Sequence, residues 1–193
     1  KGKLNEYVCS DKYTCGVLRK DSFQFHPLNF MKALAKDCIN LGASIFENCK
    51  FVNYQRNSGK IHASISNNNR VLNMQSEKVV FATGGYGGKE INELKNYWLP
   101  IKTFIGVTKP IGNELHHVLK KPMGFSDNRR AGNYYRVLPG NRLSWGRGIS
   151  AVGNYSRSSL KKVISKEISY FFPELKNIEI DYVWSGNMAY ASH

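Results

Sequence analysis

No C-x-x-C pair occurs in this 193-residue chain, and no histidine stands at zinc-finger spacing from its four cysteines, Cys9, Cys15, Cys38 and Cys49. These spacings mark the common structural zinc sites, so none is expected, and reduced thiols are the simpler reading. No apolar run approaches the roughly 18 residues that cross a bilayer as a helix, and no signal peptide is visible. A cytoplasmic, non-membrane protein is therefore expected. Acidic residues are scarce, 14 against 28 Lys and Arg, giving a formal charge of +14. The basic residues are scattered in pairs such as Lys120-Lys121, Arg129-Arg130 and Lys161-Lys162, without a run of five like charges. Scattered charge reads as a solvated surface more readily than as a nucleic-acid stripe.

The G-x-G-x-x-G dinucleotide fingerprint is also missing. Gly84-Gly85-Tyr86-Gly87-Gly88 is glycine-rich, but its spacing differs and it follows a late strand. The chain opens on Lys1 rather than Met and stops at His193. A fragment truncated at both ends is the expectation.

The most informative stretch is Ser76–Gly88. Val79, Val80 and Phe81 read as a short buried strand that runs into Ala82-Thr83-Gly84-Gly85. Residues without bulky Cβ substituents let main chain lie against a flat ligand or a phosphate. Open α/β sheets bind ligands at such strand ends.

Upstream, His26-Pro27 starts a helix, because proline is pre-set for the first helical position. Met31, Leu34, Ala35, Cys38 and Leu41 recur on one face, and Gly42 ends the helix. His26 is read as a loop histidine rather than a base. Strands are expected over Ala43–Cys49, Phe51–Gln55, Lys60–Ser66 and Val71–Met74, with turns at 57–60 and 67–69. Lys89–Tyr97 reads as a short helix and Thr103–Thr108 as a strand. Pro110 to Phe125 looks irregular. His116-His117 tempts a metal reading, but adjacent residues point apart and a third ligand is lacking. Asn133–Leu138 and Arg142–Gly146 form a hairpin about Pro139-Gly140. Ser156–Phe172 is a second helix with Leu160, Val163, Ile164, Ile168 and Phe171 on its apolar face, stopped by Pro173. A last strand carries Ile178, Ile180 and Tyr182 toward Trp184 and Gly186. The expected division is residues 1–100 and 101–193, with a boundary between Gly88 and Thr103.

Four segments in order resemble the FAD-dependent D-amino-acid-oxidase-like family, which includes glycine, sarcosine and gamma-glutamylputrescine oxidases. They are Phe23–Ala35 with Leu41–Glu47, Val79–Tyr86, Asp127–Gly146, and Phe172–Leu175 with Ile180–Gly186. The resemblance implies an α/β plus α+β protein: a partial Rossmann-like FAD-binding part and an antiparallel or mixed-sheet substrate part. It implies FAD as cofactor and oxidation of the C–N bond of an amine or amino acid by hydride transfer. It places Phe51, Ala82, Thr83 and Gly84 at the nucleotide end of FAD, and Tyr135, Trp184 and Gly186 on the substrate side. No catalytic residue and no metal are assigned. The missing fingerprint implies weak FAD binding and an inactive isolated chain. The competing reading is a basic module that stacks bases on Tyr134, Tyr135 and Trp145 beside Arg136, Arg142 and Arg147.

Overall fold

The computed structural model describes residues 3–68, 70–87, 91, 94, 96–151 and 155–191. The chain divides into two compact units. Unit 1 comprises Lys1–Gln24 with Pro100–Met188, and unit 2 comprises Phe25–Leu99 with Ala189–His193. The first 24 residues thus pack with the second half: Cys9 N donates to Val118 O, and Val8 forms an isolated bridge with Leu119.

Unit 2 begins with helix α1, Pro27–Asn40. Pro27 occupies its first turn, and His26 Nδ1 accepts from Asn29 N at 3.3 Å, so the histidine is the N-cap. Gly42, at φ 93°, follows the helix, and Ala43 N returns to Cys38 O. Three antiparallel strands come next: β1 (Cys49–Asn57), β2 (Lys60–Asn67) and β3 (Arg70–Ser76), in the order β1-β2-β3. The β1–β2 turn has Ser58 and Gly59 both at positive φ, the two-residue geometry whose twist matches a hairpin.

Two expected strands do not form. Residues 43–48 are irregular, with Asn48 at positive φ breaking the extended path into β1. Val79–Phe81 belongs to no strand. It follows β3 as isolated chain, with Val80 at 86% exposure, because no neighbouring strand among the described residues pairs with it. The Lys89–Tyr97 helix falls largely outside the described residues.

Unit 1 is built on a five-stranded sheet with the order β5-β6-β7-β4-β8. Its members are β4 (Trp98–Thr108), β5 (Gly124–Ser126), β6 (Tyr134–Leu138), β7 (Arg142–Ser150) and β8 (Ile180–Ala191). The β6–β7 hairpin closes as expected, with Leu138 opposite Arg142. Strand β4 is longer than expected, and a bulge beside Gly148 shifts its register against β7. The segment expected to be irregular contains β5 and a one-turn helix, α2 (Glu114–Val118), whose Leu115 and Val118 are fully buried.

Helix α3, Arg157–Phe171, covers one face of this sheet. Ser156 Oγ caps it by accepting from Ser159 N. Leu160, Ile164, Ile168 and Phe171 are its buried positions, spaced by four, four and three. They meet Phe104, Leu143, Trp145, Tyr135 and Ile180 in one continuous core with Phe172 and Leu175. Each such side chain contributes about 1.5–3 kcal/mol on full burial. Gly106 lets the helix approach: a Cβ there would stand 2.8 Å from Ile164 Cδ1.

Candidate functional site

In unit 2, the ring of Phe51 packs edge-on against Phe81 at 5.2 Å, and Tyr54 lies 5.8 Å from the same ring. This cluster holds the start of the 82–84 turn beside β1. Phe51 lies on an outer strand of its sheet, next to a bulge between Phe51 and Asn53. Ala82, Thr83 and Gly84 are exposed, and Gly84 opens a one-turn 3-10 helix at φ 55°. Open space lies where a Gly84 Cβ would project. A Cβ on Gly87, by contrast, would collide with Thr83 Oγ1. The turn therefore presents bare main chain on one side and is tied down on the other. Of the four expected cofactor-side residues, Ala82, Thr83 and Gly84 are consecutive in this turn, and Phe51 packs on Phe81 just before it.

In unit 1, a groove of about 250 Å³ is lined by Phe104, Tyr155, Arg157, Leu160, Val183, Trp184 and Ser185. Phe104 and Tyr155 meet edge-to-face at 5.2 Å. Arg157 stands in the first turn of α3, exposed, with no ion pair among the described residues. Among the described residues, no acidic side chain lines the groove. A cation beside aromatic and apolar walls suits an anion attached to a small organic body. Trp184, an expected substrate-side residue, is part of this groove, and Gly186 lies two positions further along β8.

Tyr135 has a different setting. It is 5% exposed and stacked between Phe125 (5.4 Å) and Trp145 (4.6 Å), with its hydroxyl donating to Tyr13 Oη at 3.0 Å. Strand alternation turns its neighbour Tyr134 to the opposite face of the sheet. There Tyr134 is half-exposed, and its ring fills the space a Cβ on Gly146 would need. Of the adjacent tyrosines, then, it is Tyr134 that meets solvent. The Y-Y pair hid this in the sequence, because either register keeps one aromatic inward.

The base-stacking reading loses its platform. Tyr135 and Trp145 are core residues. Arg142 Nη1 binds Asp181 Oδ2 at 2.7 Å and Thr108 O at 3.0 Å, knitting β7 to β4 and β8. Arg147 Nε binds Glu167 Oε2 at 2.7 Å, and Trp145 Nε1 donates to the same oxygen at 3.2 Å. Two of the expected phosphate-binding cations therefore serve intramolecular carboxylates.

Asp127 organises the loop before β6. Its Oδ2 accepts from Arg129 Nη2 at 2.7 Å and from Asn133 N at 3.1 Å, and its Oδ1 from Arg129 N at 3.2 Å. Burial opposes ionisation, but the Arg129 guanidinium and these N–H donors outweigh it and hold the carboxyl below its usual range. The Asn133 amide donates to Glu167 Oε1 at 3.2 Å and accepts from Arg129 Nη2 at 2.9 Å, linking loop and helix.

Among the histidines, His116 Nε2 lies 3.0 Å from Asn141 Oδ1 and His26 caps α1. No group of three or more His, Cys, Asp or Glu side chains arranged to hold a metal ion occurs among the described residues. No helix among them is long and apolar enough to cross a membrane.

The chain is 31% identical over 191 residues to a probable oxidoreductase OrdL of Haemophilus influenzae, covering 96% of this chain and 42% of that protein. It is 26% identical over 187 residues to the gamma-glutamylputrescine oxidoreductase of Escherichia coli, covering 95% and 42%. The chain thus spans about two fifths of the length of these relatives. Its fold matches that of glycine oxidase from Geobacillus kaustophilus at a TM-score of 0.62 with 18% identity, over 83% of this chain and 41% of that one. The family model described as FAD dependent oxidoreductase (DAO) matches residues 3–193, and the chain belongs to that FAD-dependent family.

Proposed function

We propose that this chain is part of a flavin-dependent oxidoreductase that oxidises the C–N bond of a small amine or amino acid. FAD, when bound, supplies the hydride acceptor for that chemistry. The residues present suit its nucleotide end. Ala82, Thr83 and Gly84 are exposed, and the open space over Gly84 lets main chain there accept a flat or phosphate-bearing group. Phe51 contributes through the β1 main chain beside that turn.

The observation that carries the substrate side is the groove holding Arg157, Tyr155 and Trp184, with no acid among its described lining residues. Arg157 binds the carboxylate of an amino acid or of an acid-bearing amine. Trp184 and Tyr155 shield the carbon skeleton from water, and Gly186 keeps the β8 main chain accessible. Tyr135 acts from behind the sheet, fixing β6 so that Tyr134 is displayed on the other face. The partner class is a small molecule; neither a membrane nor a nucleic acid is part of the reading.

The chain lacks the fingerprint loop that seats the FAD pyrophosphate on a helix N-terminus. Weak FAD affinity and no turnover by the chain alone are the corresponding expectations. The substrate class is tested by following the Trp184 indole resonance while α-amino acids and simple amines are added. Saturable shifts with carboxylate-bearing amines, lost in Arg157→Gln, support the reading. Equal shifts in the variant, or none with any amine or amino acid, overturn it.

A further inference from the structure

Trp145 is completely buried at the centre of the core, yet it is not chemically isolated. Its indole N–H points to a carboxylate, Glu167 Oε2 at 3.2 Å. Its ring face lies 4.6 Å from Tyr135, only 13° from parallel. The Tyr135 hydroxyl donates to Tyr13 Oη at 3.0 Å. Tyr13 is half-buried and stacks on Phe171 at 5.5 Å, at the margin of the same core. Indole and phenol are the two side-chain rings most readily oxidised by one electron. Here they form an unbroken series from the most protected point of unit 1 to its boundary, with a proton acceptor at the first ring and a hydroxyl pair at the second.

We propose that Trp145, Tyr135 and Tyr13 form a relay that carries a one-electron oxidising equivalent from the core to the surface. The oxidant is a radical of the oxygen-derived class, and it is reduced when Trp145 gives up one electron. The indole N–H proton then passes to Glu167 Oε2. In the second step Tyr135 supplies an electron to the indolyl radical, which recovers its proton from Glu167. The Tyr135 phenol proton moves to Tyr13 Oη while the original Tyr13 hydroxyl proton leaves to water. In the third step Tyr13 passes an electron to the Tyr135 phenoxyl, and the shared proton returns to Tyr135. The sum is one electron to the oxidant and one proton to water, with a phenoxyl radical left on Tyr13, where a soluble reductant reaches it. Burial pushes the ionisation of both phenols to higher pH, so each is a neutral donor that must lose its proton along with its electron.

The relay is tested in the full chain carrying Trp98→Phe and Trp184→Phe, which leaves Trp145 as the one indole of the original three. Laser photoionisation generates the Trp145 radical, and transient absorption follows indolyl and phenoxyl signals. The expected result is first-order indolyl decay matched by phenoxyl growth, at a rate independent of protein concentration. Tyr135→Phe keeps the stacked ring and slows that growth by an order of magnitude or more. Tyr13→Phe preserves the growth but leaves a phenoxyl that ascorbate reduces far more slowly. Glu167→Gln, which leaves all three rings in place, prolongs the indole radical cation. Phenoxyl growth unchanged in Tyr135→Phe, growth proportional to protein concentration, ascorbate reduction unchanged in Tyr13→Phe, or a cation lifetime unchanged in Glu167→Gln overturns the proposal.

Discussion

Gly106 of β4 lies directly beneath Ile164 of α3, and any Cβ at that position would sit 2.8 Å from the Ile164 Cδ1 methyl. The contact fixes how closely the covering helix approaches the sheet that carries Trp145 and Tyr135. Gly106→Val forces the helix outward or Ile164 out of its rotamer. A loss of about 1–3 kcal/mol is expected for such overpacking, measured by urea unfolding. An unchanged midpoint would mean that α3 does not dock on β4.

The two units should differ sharply in stability. Unit 1 holds the continuous core, whereas none of the α1 residues is buried. Leu143→Ala, at a fully buried site, is expected to cost about 2–5 kcal/mol. Leu34→Ala on α1, a residue already 44% exposed, should cost under about 1 kcal/mol. Amide exchange should likewise be slow in β4 and β7 and fast in α1. Comparable costs at the two leucines would contradict the division.

Acid should loosen the loop before β6. Asp127 has a folded-state pKa below its unfolded value, so its contribution is fully present above the ordinary carboxylate range and is lost as pH falls through the lowered value. Asp127→Ala removes the acceptor for Arg129 and Asn133 and is expected to cost about 1–3 kcal/mol at neutral pH. The wild-type advantage over this variant should shrink on acidification below the unfolded carboxylate pKa. A constant difference down to strong acid would show that the carboxylate is not the stabilising species.

How legible this fold was depended on whether local signals and tertiary cover coincided. Helix α3 was plain in the sequence because Ser156, the spacing of Leu160, Ile164 and Ile168, and Pro173 all agree, and a sheet exists to receive that face. Helix α1 was equally plain from Pro27 and Gly42, but its periodicity implied burial that the described residues do not provide. Val79–Phe81 failed for a related reason: strand-forming residues specify a strand only when a neighbour supplies the ladder. The α2 turn was missed because five residues give too short a window for helical periodicity. At the site, the family resemblance brought Phe51 and the 82–84 turn into one proposal, and Phe51 packs on Phe81, the residue that leads into that turn. Arg157 was not singled out, since a lone arginine at a helix start carries no signal until Trp184 and Tyr155 stand opposite it.

The account depends most on the exposed main chain at Ala82–Gly84 holding the nucleotide end of FAD. The direct measurement is an amide chemical-shift titration of the chain with FAD and, separately, with ADP. Both ligands should move the Phe51, Ala82, Thr83 and Gly84 signals in the same direction, saturably and with weak affinity, and Gly84→Val should abolish the effect. Shifts confined to other residues, or unaltered binding in Gly84→Val, would contradict it.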